Sequence, residues 1–363
     1  MNQCYLPLQS SIAELEFHYD QEIEKLSHFH SRVKDQITVL LGETYLLPNV
    51  LQTFKSFSEA LAPLVNPDIA FKDGQLKVKD MKDKYDIYDK YFEVTRVKEM
   101  TSGQFIQQYL DTSAEVIDEL QYTSMSRGEI AYMLKAWEAA NEIILSGKQA
   151  SADFDLGQTN SSSVPNSNED RALYRWKLAH HCFALFMIFS GYCFDKASDA
   201  LEAGDNDGAA DWLDKGAHLF RGTTACMEFG NSFTATVYRG VIRPDMSKAN
   251  EEANLPNGFS GTQNLEYVQW RSRKKRLLNI IKSKKEAGEL AQNVLDMIEM
   301  FRAYYLEDMH IHSIIAGRMV GMEKSLLQEG FMKPGAKPVK ITAADVLRSM
   351  AAMRDKETSF IVN

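Results

Sequence analysis

Apolar residues recur at three- and four-residue spacing along most of this chain, the period of an amphipathic helix. The pattern predicts helices over Ser11–Leu41, Ser102–Leu120, Arg127–Leu145, Asp170–Leu201, Asp207–Glu228, Gln263–Ile281, Ala287–Gly317 and Thr342–Met353. Strand-like alternation is confined to Ile69–Val94, where IAFKDGQLKVKD suits a short hairpin over Asp73-Gly74. The expected fold class is therefore all-α. From Ser146 to Asp170 the chain reads SGKQASADFDLGQTNSSSVPNSNED, rich in Ser, Asn, Gly and Asp and nearly empty of large apolar residues, which marks a linker. The resulting division is an N-terminal helical domain (1–145), a flexible linker (146–169) and a larger C-terminal helical domain (170–363). A second irregular segment, Pro244 to Gly261, interrupts the C-terminal part, and no internal repeat is visible.

Composition narrows the class. With 363 residues, 44% of them hydrophobic, the chain can bury a large core. No run of 18 apolar residues occurs and no basic-then-apolar leader opens the chain, so a cytoplasmic protein without a membrane span is expected. Cys4, Cys182, Cys193 and Cys226 lack the close spacing of a redox or zinc motif, and reduced, buried thiols are expected. A net charge of -9 disfavours general nucleic-acid binding. The basic run RSRKKR, Arg271 to Arg276, is read as a solvated helix face.

Candidate chemistry gathers in the C-terminal half. The stretch FRAYYLEDMHIHSIIAGRM, Phe301 to Met319, places Tyr305, Met309 and His312 on one helical stripe and turns His310 away from it. The stretch WKLAHHCFALFMIFSGYCF, Trp176 to Phe194, is apolar all round and therefore buried, so His180 and His181 need hydrogen-bond partners or a ligand. Adjacent side chains diverge by about 100° on a helix, and at most one of the two can face a cavity. In VYRGVIRPDM the expected helix ends at Pro244, leaving Arg243 at a helix exit where it can hold a carboxylate by two hydrogen bonds. GFSGTQNLEY is a glycine-flanked turn feeding a helix whose free amides can receive an anion or a carbonyl oxygen.

In their order along residues 170–360, these segments and the final helix TAADVLRSMAAMRDKETSF resemble the C-terminal half of the indoleamine 2,3-dioxygenase family. They also resemble its relative, the pyrrolnitrin-pathway enzyme that rearranges the indole ring of chlorinated tryptophan. The resemblance implies a helical large domain that holds a b-type haem, capped by a smaller N-terminal helical domain. It implies that Arg243 binds a substrate carboxylate, that Tyr238 lines the distal pocket, that Ser260 and Gly261 form the turn over the distal haem face, and that Arg302 pairs with a haem propionate. The family's axial histidine falls where this chain has Tyr305, which leaves Tyr305, His310 and His312 as alternative iron ligands, or haem lost. MKPGAKPVKIT replaces the family's glycine-rich loop, and His180 or His181 falls on the distal wall, placed to handle protons.

The expected activity is a haem-dependent oxidation of an aromatic amino acid or indole derivative with O₂ or peroxide, the substrate bearing a carboxylate and the enzyme a monomer or homodimer. Two alternatives stay open. One is a non-haem iron oxygenase in a helical bundle, for which the chain offers the single ExxH pair Glu307 and His310. The other is a helical binding protein whose histidines are structural.

Overall fold

A computed structural model describes residues 4–7, 31, 83–97, 100, 102–145, 168–252, 263–321 and 342–361. Nearly all of the expected helix Ser11–Leu41, the hairpin over Asp73-Gly74, nearly all of the linker, the Ser260-Gly261 turn and the MKPGAKPVKIT segment lie outside the described residues.

A two-stranded parallel pair, β1 (Cys4–Pro7) and β2 (Val94–Val97), joins the start of the chain to residues some ninety positions on, with Cys4 opposite Val94. Helix α1 (Asp83–Tyr91) precedes β2. This corrects the strand reading of Ile69–Val94 where the segment is described. In DKYDIYDKY, Tyr88 and Tyr91 lie three apart and share the buried face of a helix, while β2 pairs with a distant strand that no local alternation reports.

Helices α2 (Ser102–Leu120) and α3 (Arg127–Leu145) coincide with the segments their periodicity predicted. Helix α4 (Asn168–Ala203) is the longest, with Glu169 and Asp170 in its first turn where the helix dipole favours anions. Antiparallel to it runs α5 (Asn206–Gly230), capped by Asp205, whose carboxylate accepts the Gly208 N–H. A β-carbon at Gly222 would meet the Ala136 Cβ at 2.3 Å, so glycine is what allows α5 to approach α3 this closely. The short α6 (Ala235–Val237) continues as a π-helical turn (Tyr238–Ile242) into α7 (Arg243–Glu252). Helices α8 (Leu265–Ala287), α9 (Gln292–Val320) and α10 (Ala343–Thr358) complete the bundle.

The expected helix end at Pro244 is corrected. The wide π turn lets the Arg243 N–H reach back to the Tyr238 carbonyl, and Pro244 then stands in the first turn of α7, where its missing N–H costs nothing. Arg243 accordingly keeps helical angles, φ -63° and ψ -45°, inside a bent but continuous helical run.

The two largest hydrophobic cores among the described residues organise the fold. The first joins β1, β2, α2 and α3 to the first half of α4 and to α5, so the helices on both sides of residues 146–167 share it. The second lies among α4, α5, α8 and α9 around Trp270, Phe220, Phe194 and Phe301. The basic run on α8 is tied down by acids of α4: Arg273 pairs with Asp195 at 2.8 Å, and Arg276 with Asp199 at 2.8 Å and Glu202 at 2.9 Å. No described helix is long and apolar enough to cross a membrane. All four cysteines are free and buried, as their spacing suggested.

Candidate active site

His180 and His181 diverge as adjacent helical positions must. His181 is 2% exposed, and its Nε2 donates to the Phe92 carbonyl at 2.5 Å, tying α4 to the turn before β2. His180 is half-buried. Its Nδ1 donates to the Trp176 carbonyl one turn back at 2.7 Å, so the proton sits on Nδ1 and Nε2 is the unprotonated nitrogen. Its ring stacks on Phe92 at 3.9 Å and meets the edges of Trp176 at 4.6 Å and Tyr88 at 6.2 Å. Burial holds both imidazoles down to about 4, so both are neutral at pH 7.

The aromatic cluster around His180 is continuous with the C-terminal half of α9. Phe233 and Tyr238 pack against Tyr88, Phe92 and Ile242 on one side and against Ile315, Met319 and Val320 on the other. Tyr238 thus stands between the turn that bears His180 and the turn that bears His312. Arg239, next in the π turn, donates to the Met319 carbonyl at 3.3 Å. Half-buried Arg243 begins α7 beyond the same wall.

Along α9 the four residues named from the sequence separate. Tyr305 is 4% exposed and its hydroxyl is already engaged: Lys274 donates to it at 2.7 Å, and it donates to Glu357 at 3.1 Å. His310 is exposed. His312 is half-buried one turn beyond Asp308, and burial lowers its pKa below the usual histidine range, so it too is neutral. Arg302 pairs with Asp355, and its buried Nε has no partner among the described residues.

The ExxH pair dissolves in the same geometry. Glu307 turns to Arg221, which donates to it at 3.0 Å, while His310 points to solvent. Among the described residues no three His, Cys, Asp or Glu side chains converge on a metal-sized site, so the non-haem alternative has no ligand set there.

Sequence reasoning missed the polar skeleton beneath α9. Asp308, 6% exposed, accepts from Thr224 at 2.9 Å and from Arg354 at 2.7 Å, and Arg354 also reaches the Tyr305 carbonyl at 2.7 Å. A second buried group, Arg96 between Asp89 and Glu266, locks β2 to the first turn of α8. Apart from Asp89, seven positions from Arg96, each partner lies tens of residues away, where local periodicity carries no signal.

A family model for SfmD 3-methyl-L-tyrosine peroxygenase matches residues 16–291. The chain belongs to this peroxygenase family. A crystal structure of reduced SfmD, prepared by soaking with sodium hydrosulfite, aligns with a TM-score of 0.53 over 86% of this chain and 96% of that one. At 14% identity this likeness shows a shared fold. No curated protein matches the chain. Membership in the SfmD family makes the chain an oxidoreductase and bears out the expectation of oxidative chemistry on an aromatic amino acid. It corrects the indole part of that expectation, because the family takes its name from a tyrosine derivative and not from tryptophan. The likeness to the pyrrolnitrin-pathway enzyme gives way for the same reason. His180, His181, Tyr238, Arg243, Ser260 and Gly261 lie within the matched SfmD-family residues, and α9 with Arg302, Tyr305, His310 and His312 lies beyond them.

His181→Ala should lower stability by about 1–3 kcal/mol, the cost of a lost buried hydrogen bond and the space left behind it. Because the folded-state pKa of both histidines lies below the unfolded value of about 6.5, the unfolded chain binds more protons between those limits, and stability falls as pH drops from about 6.5 through 4. Urea midpoints across that window should show the fall, and in His181→Ala the slope should flatten. A slope unchanged by the substitution would remove His181 from the titration.

Proposed function

We propose that this chain is a haem-dependent peroxygenase that hydroxylates the ring of 3-methyl-L-tyrosine or a closely related tyrosine. The observation that carries the reading is the family match over residues 16–291 together with a neutral, Nδ1-protonated histidine whose ring packs among Phe92, Trp176 and Tyr88.

The residues present suit a haem of the b type. Such a group needs a neutral nitrogen ligand, apolar walls for the macrocycle and cations for its propionates. His312 supplies the first, Phe233, Tyr238, Ile315 and Met319 the second, and Arg302, with its unpartnered buried Nε, the third. Tyr305 is set aside as ligand because Lys274 and Glu357 hold its oxygen, and His310 because it faces solvent. When bound, haem supplies peroxide activation, and the protein supplies position and proton handling. With its Nδ1–H anchored on the Trp176 carbonyl, His180 would use its unprotonated Nε2 to take a proton from incoming peroxide and return one to the departing water. Arg243 holds the substrate carboxylate through its paired N–H donors, and Tyr238 forms the ring-facing wall. The reaction needs an aromatic amino acid and peroxide, and a cytoplasmic setting remains our reading.

The test is an optical and product assay. Purified protein should take up one haem per chain, show a Soret band and convert 3-methyl-L-tyrosine with hydrogen peroxide to a singly hydroxylated product. Iron without a Soret band would favour the non-haem alternative, and no metal uptake at all the binding protein. His180→Ala should lose turnover while keeping its haem. Arg243→Leu should weaken binding of the amino acid by roughly 1.5–3 kcal/mol, the range of a charge-assisted hydrogen bond in a partly dry pocket, with haem content intact. Equal affinity of the variant and wild type would reassign Arg243 to a structural ion pair.

A further inference from the structure

Tyr305 is buried, and its hydroxyl sits between ionic partners of opposite sign: it donates to Glu357 Oε2 at 3.1 Å and accepts from Lys274 Nζ at 2.7 Å. Ordinary core packing asks for no such arrangement. Two cations also face its ring, Arg354 at 4.1 Å and Lys274 at 4.3 Å from the centroid. They oppose any positive charge left on the ring, so Tyr305 can lose an electron only if its proton leaves too, and Glu357 is already hydrogen-bonded to receive it.

From Tyr305 a line of oxidisable rings leads outward. Its ring centroid lies 6.1 Å from that of Trp270, which is stacked in turn on Tyr267 at 6.0 Å and 16°. Trp270 is fully buried with its indole N–H on Ser190 Oγ at 3.0 Å, whereas Tyr267 is half-buried with the Arg271 guanidinium over its face. The neighbours Phe220 and Phe301 fill the remaining sides with rings that are much harder to oxidise. Tyr305 and His312 lie on the same face of α9, two turns and about 10 Å apart along the axis.

We infer that Tyr305 is a redox-active tyrosine and the first station of a path, Tyr305 to Trp270 to Tyr267, that carries an oxidising equivalent to the surface when peroxide arrives without aromatic substrate. The inference rests on the peroxygenase reading for its source of oxidant. Tyr305 gives one electron to the peroxide-oxidised site and its phenolic proton to Glu357, leaving a neutral phenoxyl radical. Trp270 then returns an electron to Tyr305, which recovers its proton from Glu357, while the indole N–H stays on Ser190. Tyr267 reduces Trp270 and releases its own proton to solvent, where a one-electron donor in solution closes the sequence.

Haem-loaded protein mixed with hydrogen peroxide alone and freeze-quenched should show a tyrosyl radical by electron paramagnetic resonance. The signal should vanish in Tyr305→Phe and fall severalfold in Glu357→Gln, which keeps the shape but removes the base. Trp270→Phe should retain the Tyr305 radical yet lose the spin-trap adduct on the peptide that contains Tyr267. A wild type that hydroxylates substrate with peroxide but gives the same radical yield in Tyr305→Phe would overturn this inference and leave the proposed function standing. If the protein takes up no haem, the proposed function falls. A photogenerated ruthenium(III) complex then tests the path on the full chain, where tyrosyl absorbance that is independent of Tyr305 and Trp270 would overturn it.

Discussion

His312→Ala should abolish haem retention and with it peroxide-dependent hydroxylation, the largest functional effect expected from any single substitution in this chain. His312 is carried inward one turn beyond Asp308 on α9, and burial keeps it neutral, the form in which an imidazole nitrogen binds iron. Asp308 below it is fixed by Thr224 and Arg354, so the turn that presents His312 is anchored to α5 and α10. The variant should lose its Soret band or shift it strongly, and added imidazole should restore part of the spectrum by filling the space. His218→Ala is the control: its ring pairs with Asp214 at 3.4 Å on α5, away from the Tyr238 wall, and its spectrum should stay that of the wild type. An unchanged spectrum in His312→Ala with a lost one in His180→Ala would transfer the iron to His180, whose Nδ1 bond to a carbonyl also suits a ligand.

Arg221→Met should cost the folded state about 3 kcal/mol, the largest stability effect expected, because it strips the cation from a buried three-helix junction. Arg221 is fully buried. It forks onto Glu129 of α3 at 2.9 Å and 2.6 Å, donates to Glu307 of α9 at 3.0 Å, and lies 3.9 Å over the Tyr132 ring. Removing it leaves two carboxylates facing each other with no counter-charge. Glu307 is 40% exposed and can recover some hydration, which keeps the cost below the upper end for a buried pair. Arg221→Lys should recover only part, since an ammonium cannot span both acids in the fork geometry. Replacing all three by apolar residues of similar size should come much closer to wild type than the single change does. Urea midpoints of the single and triple variants decide it; a single variant within about 0.5 kcal/mol of wild type would show the junction to be energetically neutral.

The candidate site was legible in part. The 100° step already required His180 and His181 to meet different surroundings, and the structure ties His181 to Phe92 and His180 to Trp176. The stripe of Tyr305, Met309 and His312 proved a real inward face, with Tyr305 and Met309 both 4% exposed. What the stripe could not tell is that Lys274 and Glu357 hold the Tyr305 hydroxyl, since those residues lie 31 and 52 positions away. Arg243 was misread because a proline normally ends a helix, and the π turn that accommodates it leaves no mark in hydrophobic spacing.

Local chemistry settled what is local. The apolar period placed α2 and α3 to the residue, and Thr342 with Asp345 set the start of α10 by reciprocal hydrogen bonds that depend only on residues three apart. Periodicity reports backbone conformation and the existence of a buried face, but it says nothing about which other face will meet it. Tertiary packing alone decided that Arg221 would find acids 92 and 86 residues away, that β1 would pair with β2, and that Phe233 and Tyr238 would stand between His180 and the His312 turn. Those outcomes follow from how long helices cross and which buried charges must be neutralised where they meet, and such constraints exist only once the chain has closed on itself.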